Sequence, residues 1–240
     1  MNGSKAVLWD MDGTLVDSGE LHWIAWRNTM ANEGIVITRE QFLSTFGQRN
    51  DSIIPSWLGS AVTAERIERI AQTKEELYRH LVSRVGIAHE PGVARWLRRL
   101  HKRGWQQAIA SAAPRANIDA VLEALSANDI FQGIVSAEDV HRGKPDPEVY
   151  LLAASRVGVP AERCIVVEDA SAGIEGARRA GMRSIGVSHN GKDLHADLVV
   201  QSLELLEPDA FDRLLNQTRS CGIRTAQNMT GNSESQRRFY

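Results

Sequence analysis

Four short polar stretches of this 240-residue chain hold residue types that can do chemistry together. Asp10-Met11-Asp12-Gly13-Thr14 and Ser111-Ala112 each follow a short apolar run, Glu168-Asp169 closes another, and Gly143-Lys144-Pro145-Asp146-Pro147 forms a polar loop between runs. Brought together they set four acids against one lysine, a net −3 if all are ionised, which is costly to hold without a cation. A hard divalent ion such as Mg²⁺, which takes carboxylate and carbonyl oxygens, answers that need. The site would then stay near −1. It accepts an anionic ligand more readily if one carboxyl is protonated, and Asp12 is nominated as a general acid in that state. Cations from elsewhere in the chain would also help, with Arg49, Arg115 and His22 as candidates.

Each stretch also has a plainer reading. Asp-x-Asp-Gly opens calcium loops, but such a loop needs glycine where Leu15 stands and a bidentate acid where Leu21 stands. Asp-Gly alone is an ordinary turn. Lys-Pro-Asp-Pro starts a helix, with Asp146 as its cap and Pro147 at the first helical position, and that start would also fix the direction of Lys144. Glu168-Asp169 reads as a capping pair. Each is adequate singly; the ordered set of four is not accidental.

The elements that would position these residues follow from hydrophobic period. Ala6-Val7-Leu8-Trp9 is a continuous apolar run of the kind buried on both faces of a parallel sheet. Runs at 107–110, 164–167 and 184–187 resemble it, with weaker ones at 134–136 and 198–200. Helix-period segments at 92–103, 115–127, 147–157 and 171–180 lie between them. Two of these stop at a glycine, Gly104 and Gly181, just before the next strand. Strand alternating with helix predicts an α/β fold, a Rossmann-like doubly wound parallel sheet whose ligands sit beyond the strands' carboxyl ends. The stretch from Asp17 to about 90 breaks the alternation with helical patterns at 20–33, 39–45 and 64–85 and no convincing central strand. The expected organisation is an α/β core domain from 1–16 and 91–216 with a helical cap domain, 17–90, inserted after the first strand.

Composition narrows the function. Apolar residues are 42% and charged residues 24% of the chain, as in globular proteins, and the net charge of −2 offers no basic excess for nucleic acid or anionic membrane. Residues 217–240 carry four arginines against one glutamate among Ser, Thr, Asn, Gln and Gly, a composition that predicts a disordered tail. Two cysteines, Cys164 and Cys221, are too few for a disulfide framework, and Asp10 and Asp12 interrupt the first apolar run as no secretory signal would. The expected location is cytoplasmic, nucleic acid and membrane are not expected partners, and the expected state is a monomer.

The four motifs, from Asp10-Met11-Asp12-Gly13-Thr14-Leu15-Val16-Asp17-Ser18 through Ser111 and Gly143-Lys144-Pro145-Asp146-Pro147 to Val167-Glu168-Asp169-Ala170-Ser171-Ala172-Gly173-Ile174, resemble those of the haloacid dehalogenase superfamily. The similarity is to the branch that holds β-phosphoglucomutase and small sugar-phosphate phosphatases. The resemblance implies a Mg²⁺-dependent phosphatase acting on a small phosphorylated sugar or related phosphomonoester, with Asp10 as nucleophile forming an aspartyl phosphate and Asp12 as general acid/base. It further implies that Ser111 holds the phosphoryl group and that Lys144 pairs with Asp10. Glu168 and Asp169, with Asp10 and the main-chain carbonyl of Asp12, would hold the metal. In the cap, His22 and Trp26 lie four apart on one helix face that borders the substrate in the mutase, although for Trp26 alone packing in the cap's own core is the stronger explanation. Arg49 resembles the mutase's arginine for a second phosphate. Ala112 and Arg115 complete the implied substrate contacts, whereas Lys74, His80 and the arginines of 95–103 read as exposed face. Ala113 and Arg115 stand where the mutase has serine and asparagine, which favours hydrolysis over a phosphosugar mutase. A catalytically inactive binding or regulatory protein using the basic tail is the alternative from another class.

Overall fold

The computed structural model describes residues 3–217 apart from 190 and 192, so the proposed tail from 218 onward, with Cys221, lies outside the described residues. Six strands form one parallel sheet: β1 (Ala6–Trp9), β2 (Gln106–Ala110), β3 (Gly133–Val135), β4 (Cys164–Glu168), β5 (Arg183–Val187) and β6 (Leu198–Val200), in the order β3-β2-β1-β4-β5-β6. The order reverses at β1, so the crevice of a doubly wound sheet opens beyond the ends of β1, β2 and β4.

The continuous apolar runs are explained by burial on both faces. Val7 and Trp9 of β1 enter one hydrophobic cluster with Ile109, Ile165, Val167 and Ile185, while Ala6 and Leu8 enter another with Ala108, Ala110 and Val166. Side chains alternate across a strand, so a strand covered on both sides must be apolar at every position. Helices α5 (Val93–Lys102), α6 (Arg115–Ala124) and α9 (Ala210–Asn216) cover the first face, and α7 (Glu148–Arg156) and α8 (Ser171–Arg179) the second. As expected, Gly104 and Gly181 end their helices with positive φ, 72° and 77°.

Between β1 and α5 the chain forms α1 (Gly19–Asn32), α2 (Arg39–Thr45), α3 (Asn50–Leu58) and α4 (Ala64–Val85). Trp26, Met30, Phe42, Ile53, Ile54 and Ile70 pack there into a hydrophobic cluster of their own. The two connections to the sheet run side by side, with Asp17 N–H donating to Ala88 C=O and Glu90 N–H to Leu15 C=O, both at 3.1 Å. Sequence reasoning anticipated three of these helices and missed α3, because Pro55 lies inside it and proline reads as a helix breaker. It also missed α9, assigning residues 210–216 to no element. Among the described residues no helix is long and apolar enough to cross a membrane.

Candidate functional site

Parallel pairing brings the strand-end residues together. Trp9 is in register with Ile109 on one side and Val167 on the other, so Asp10, Ser111 and Glu168 emerge from three adjacent strand ends. The Asp10 N–H is itself tied to Val167 C=O at 3.0 Å. Carboxylate oxygens of Asp10, Glu168 and Asp169 all lie within 4.8 Å of one another. The loop before α7 delivers the Lys144 ammonium to Asp10 Oδ1 at 2.5 Å and Glu168 Oε1 at 2.6 Å, and all four groups are largely buried.

Such crowding has the expected electrostatic cost. Burial, followed by the charge of Glu168, pushes the Asp10 carboxyl up to about 7, although Lys144 works against the rise. Burial and the charges of Glu168 and Asp10 likewise hold Asp169 well above its ordinary range. Lys144 moves the other way from what burial dictates: its two carboxylate partners keep it firmly protonated. Three carboxylates against one ammonium are short of positive charge, and their all-oxygen donor set suits a hard divalent cation.

Two glycines make room for this arrangement. A Cβ on Gly173 of α8 would stand 1.8 Å from Glu168 Oε1, so only glycine lets the helix start so close to that carboxylate. Gly13 adopts φ 81°, and a Cβ there would meet Asp169 Oδ2 at 2.5 Å. Glu168 is further fixed by Tyr150, whose hydroxyl donates to Oε1 at 3.1 Å, and by the Ala170 N–H, which donates to Oε2 at 2.8 Å. Neither Tyr150 nor the need for glycine at 173 was read from the sequence. Ser111 Oγ accepts the Ala113 N–H at 3.0 Å, which leaves its own O–H free to donate.

Asp12 departs from expectation. Its carboxylate turns toward the helical insert, where the Ser18 hydroxyl donates to Oδ1 at 2.6 Å and His22 Nε2 lies at 3.0 Å. Burial pushes this carboxyl up, but the hydrogen bonds from His22 and Ser18 and the nearby Lys74 charge outweigh it, leaving Asp12 below its ordinary range. The nominated protonated Asp12 is therefore corrected: at neutral pH without substrate it is a carboxylate, because the insert supplies its donors.

Lys74, expected on an exposed face, is the second correction. It is 3% exposed and its ammonium donates to His22 Nδ1 and Glu75 Oε1, each at 2.9 Å. Ammonium only donates, so Nδ1 is the acceptor and the ring hydrogen sits on Nε2, directed at Asp12. Tyr78 stacks on the His22 ring at 3.9 Å and holds its plane. Helical period was the signal that could have found Lys74, since Ile70, Tyr78 and Val82 continue its inward stripe of α4, where its ammonium rests over the Trp26 and Tyr78 rings at 5.1 and 5.5 Å.

A cavity lies between insert and sheet, lined by Asp10, Asp12, His22, Trp26, Ser111 and Ala112 among others. Trp26 lines this cavity and also sits edge-on to Trp57 at 5.0 Å in the insert's own cluster. Two anticipated cations are placed elsewhere. Arg49 Nη1 donates to Ala137 C=O at 2.8 Å and Val140 C=O at 3.3 Å, strapping the insert to the sheet beside the groove that holds Lys144. Arg115 is half exposed and donates to Asp119 at 2.8 Å on its own helix; Pro114 and Asn117 line the cavity instead.

Residues 7–187 match the protein family described as haloacid dehalogenase-like hydrolase. The chain is 33% identical over 217 residues to β-phosphoglucomutase of Bacillus subtilis, covering 85% of this chain and 95% of that protein. It is 32% identical over 211 residues to hexitol phosphatase A of Escherichia coli, covering 83% and 92%. The crystal structure of β-phosphoglucomutase from Clostridium difficile superposes with a TM-score of 0.81 at 28% identity, covering 89% of this chain and 98% of that one.

Proposed function

The chain belongs to the haloacid dehalogenase-like hydrolase family and is an enzyme, and we propose that it is a Mg²⁺-dependent phosphatase of a small phosphorylated sugar or polyol, working through an aspartyl phosphate on Asp10. The observation that carries this reading is the convergence of Asp10, Lys144, Glu168 and Asp169 at 2.5–4.8 Å beyond three adjacent strands, with Asp12 two residues after Asp10 lining the same cavity.

Asp10, Glu168 and Asp169, with the main-chain carbonyl of Asp12, would hold Mg²⁺, which when bound neutralises charge on the carboxylates and the phosphoryl oxygens. Asp10 attacks phosphorus as the bond to the leaving oxygen breaks. Lys144, already on Asp10, lowers the repulsion between two approaching anions. The Ser111 hydroxyl and the N–H groups that follow it orient the transferring group. Asp12 starts as a carboxylate, and the approach of an anionic ester raises its proton affinity, so that it takes up a proton from the monoanionic ester or from water as substrate binds. It then gives that proton to the leaving oxygen. As a carboxylate again, it takes one from the water that attacks the aspartyl phosphate and releases phosphate. His22 and Ser18 aim Asp12 throughout.

Free space in the cavity is about 50 Å³, far below the roughly 300 Å³ of a small-molecule pocket, so the helical insert must swing outward to admit substrate and close again to exclude water. The paired connections at Asp17 and Glu90 are the hinge, and residues 17–90 form the cap. Hydrolysis is favoured over mutase action because Ala113 and Arg115 stand where the mutase has serine and asparagine and because Arg49 is engaged on sheet-side carbonyls.

The test is steady release of phosphate from hexose phosphates, hexitol phosphates and nitrophenyl phosphate with Mg²⁺, against Asp10→Asn. Turnover lost in the variant is the expected result, and equal turnover would sink the mechanism. Conversion of β-glucose 1-phosphate to glucose 6-phosphate, primed by the 1,6-bisphosphate and without loss to free phosphate, would favour the mutase.

A further inference from the structure

We infer that Glu75, braced by Asn50 and Asn117, sets the charge of the substrate's far end, so that the cavity takes monophosphates with an uncharged, hydroxyl-bearing tail and turns away bisphosphates. This rests on the phosphatase reading and names the substrate class of that same site.

Glu75 follows Lys74 on α4 and lines the same cavity as Asp10 and Ser111, three hydrogen bonds beyond Asp12 through His22 and Lys74. It is 6% exposed, and its carboxylate is fully oriented by its neighbours. Oε1 accepts from Lys74 at 2.9 Å and from Asn50 Nδ2 at 2.7 Å, while Oε2 accepts from Asn117 Nδ2 at 2.5 Å. Arg79 Nη1 donates to Asn117 Oδ1 at 3.0 Å, which obliges that amide to present its NH₂ to Glu75. A carboxylate has about four acceptor sites, so one on Oε2 remains for a hydroxyl donor. Burial pushes Glu75 up, yet Lys74 and the other donors more than compensate and keep it an anion.

No cation in the cavity is available to a second phosphate. Lys74 is the one Lys or Arg among the described residues that line it. Its ammonium is engaged by His22 and Glu75, with the Trp26 and Tyr78 rings over the remaining side. Arg49 and Arg115, the cations that the sequence offered for this end, are bound to sheet-side carbonyls and to Asp119. A second phosphate would therefore add charge to a cavity that Asp10, Asp12 and Glu75 line and whose one lysine is already engaged by Glu75 and His22, an unfavourable encounter in a poorly solvated site. A polyol tail would meet one acceptor on Glu75 and the amides of Asn50 and Asn117. Discrimination would come from repulsion of the wrong ligand as much as from attraction of the right one.

The experiment compares kcat/KM for glucose 6-phosphate or a hexitol 6-phosphate with that for glucose 1,6-bisphosphate, in wild type and in Glu75→Gln, with Mg²⁺ present. Wild type is expected to prefer the monophosphate at least tenfold, and Glu75→Gln to narrow that ratio at least tenfold. A wild type that hydrolyses the bisphosphate equally well or better overturns the inference, and so does a folded Glu75→Gln with an unchanged ratio. If the variant loses its cooperative melt, the wild-type ratio decides alone. Nitrophenyl phosphate, which has no second anion, separates the two levels of failure. No turnover of any ester means that the phosphatase reading and this inference fall together; turnover with the bisphosphate favoured means that only this inference falls.

Discussion

His22 Nε2 lies 3.0 Å from Asp12 Oδ1, so a residue of the helical insert grips the carboxylate at the end of the first sheet strand. The contact joins the two parts of the molecule at the atom that exchanges protons in the proposed mechanism. Replacing His22 by Asn removes a hydrogen bond that keeps the Asp12 carboxyl low, so the pH limb of kcat/KM that reports Asp12 is expected to move upward. General acid–base groups contribute about 10²–10⁴-fold, and losing the group that aims one is expected to lower kcat by about 10- to 100-fold. The pH–rate profile of His22→Asn checks both.

Asp10 gives a prediction in the opposite pH sense. Its carboxyl, pushed up to about 7 by burial and Glu168, keeps its proton in the metal-free folded protein over a range where the unfolded chain has already lost it. This contribution to stability is present in full below the ordinary carboxylate range near pH 4 and is lost as pH rises through about 7. A divalent cation favours the ionised form and binds only the folded state. Adding Mg²⁺ is therefore expected to raise the melting temperature more at pH 8 than at pH 5.5, as thermal melts with and without the ion would show. An equal gain at both values would contradict the assignment of Asp10 as a ligand.

Gly173→Ala is expected to damage the site although residue 173 carries no chemistry. The added methyl would fall 1.8 Å from Glu168 Oε1, so either Glu168 leaves Lys144 and Tyr150 or the first turn of α8 shifts. Apparent Mg²⁺ affinity should drop by at least tenfold, on the order of what metal-site supporting groups are worth, and a metal titration of the folded variant measures it.

Ile70→Ala tests the separate packing of the insert. Ile70 is fully buried among Trp26, Met30 and Phe42, and removal of such a side chain costs about 2–5 kcal/mol. Hydrogen exchange is expected to accelerate in 19–58 more than in the sheet strands, since the cluster it breaks belongs to the insert.

Cys164 should be inert. Burial pushes its thiol up to about 12, and the side chain is enclosed beneath the sheet's second face. In a Cys221→Ser background, iodoacetamide at pH 7.5 is expected to label the native protein negligibly and the unfolded protein fully.

Much of this molecule was legible along the chain. Buried parallel strands must be apolar at every position, so Ala6–Trp9 and Cys164–Val167 declare themselves locally, and ligands gather at strand ends, so Asp10, Ser111 and Glu168 follow from where the runs stop. Lys144 came from its loop and the helix start behind it. What tertiary structure alone decided is where each charge ends up and what state it adopts. Lys74 meets His22 across 52 positions and Glu75 meets Asn117 across 42, so helical period can mark an inward position on α4 but cannot supply the partners that let a charge be buried there. The same holds for Asp12, ionised because Ser18 and His22 turn toward it, and for Arg49 and Arg115, whose cationic type was evident but whose direction depended on carbonyls and carboxylates elsewhere. Sequence determined the sheet and the chemistry gathered at its edge, because period and residue type are local properties. Protonation and orientation waited on the fold, because both are set by the distant groups that come to lie within a hydrogen bond.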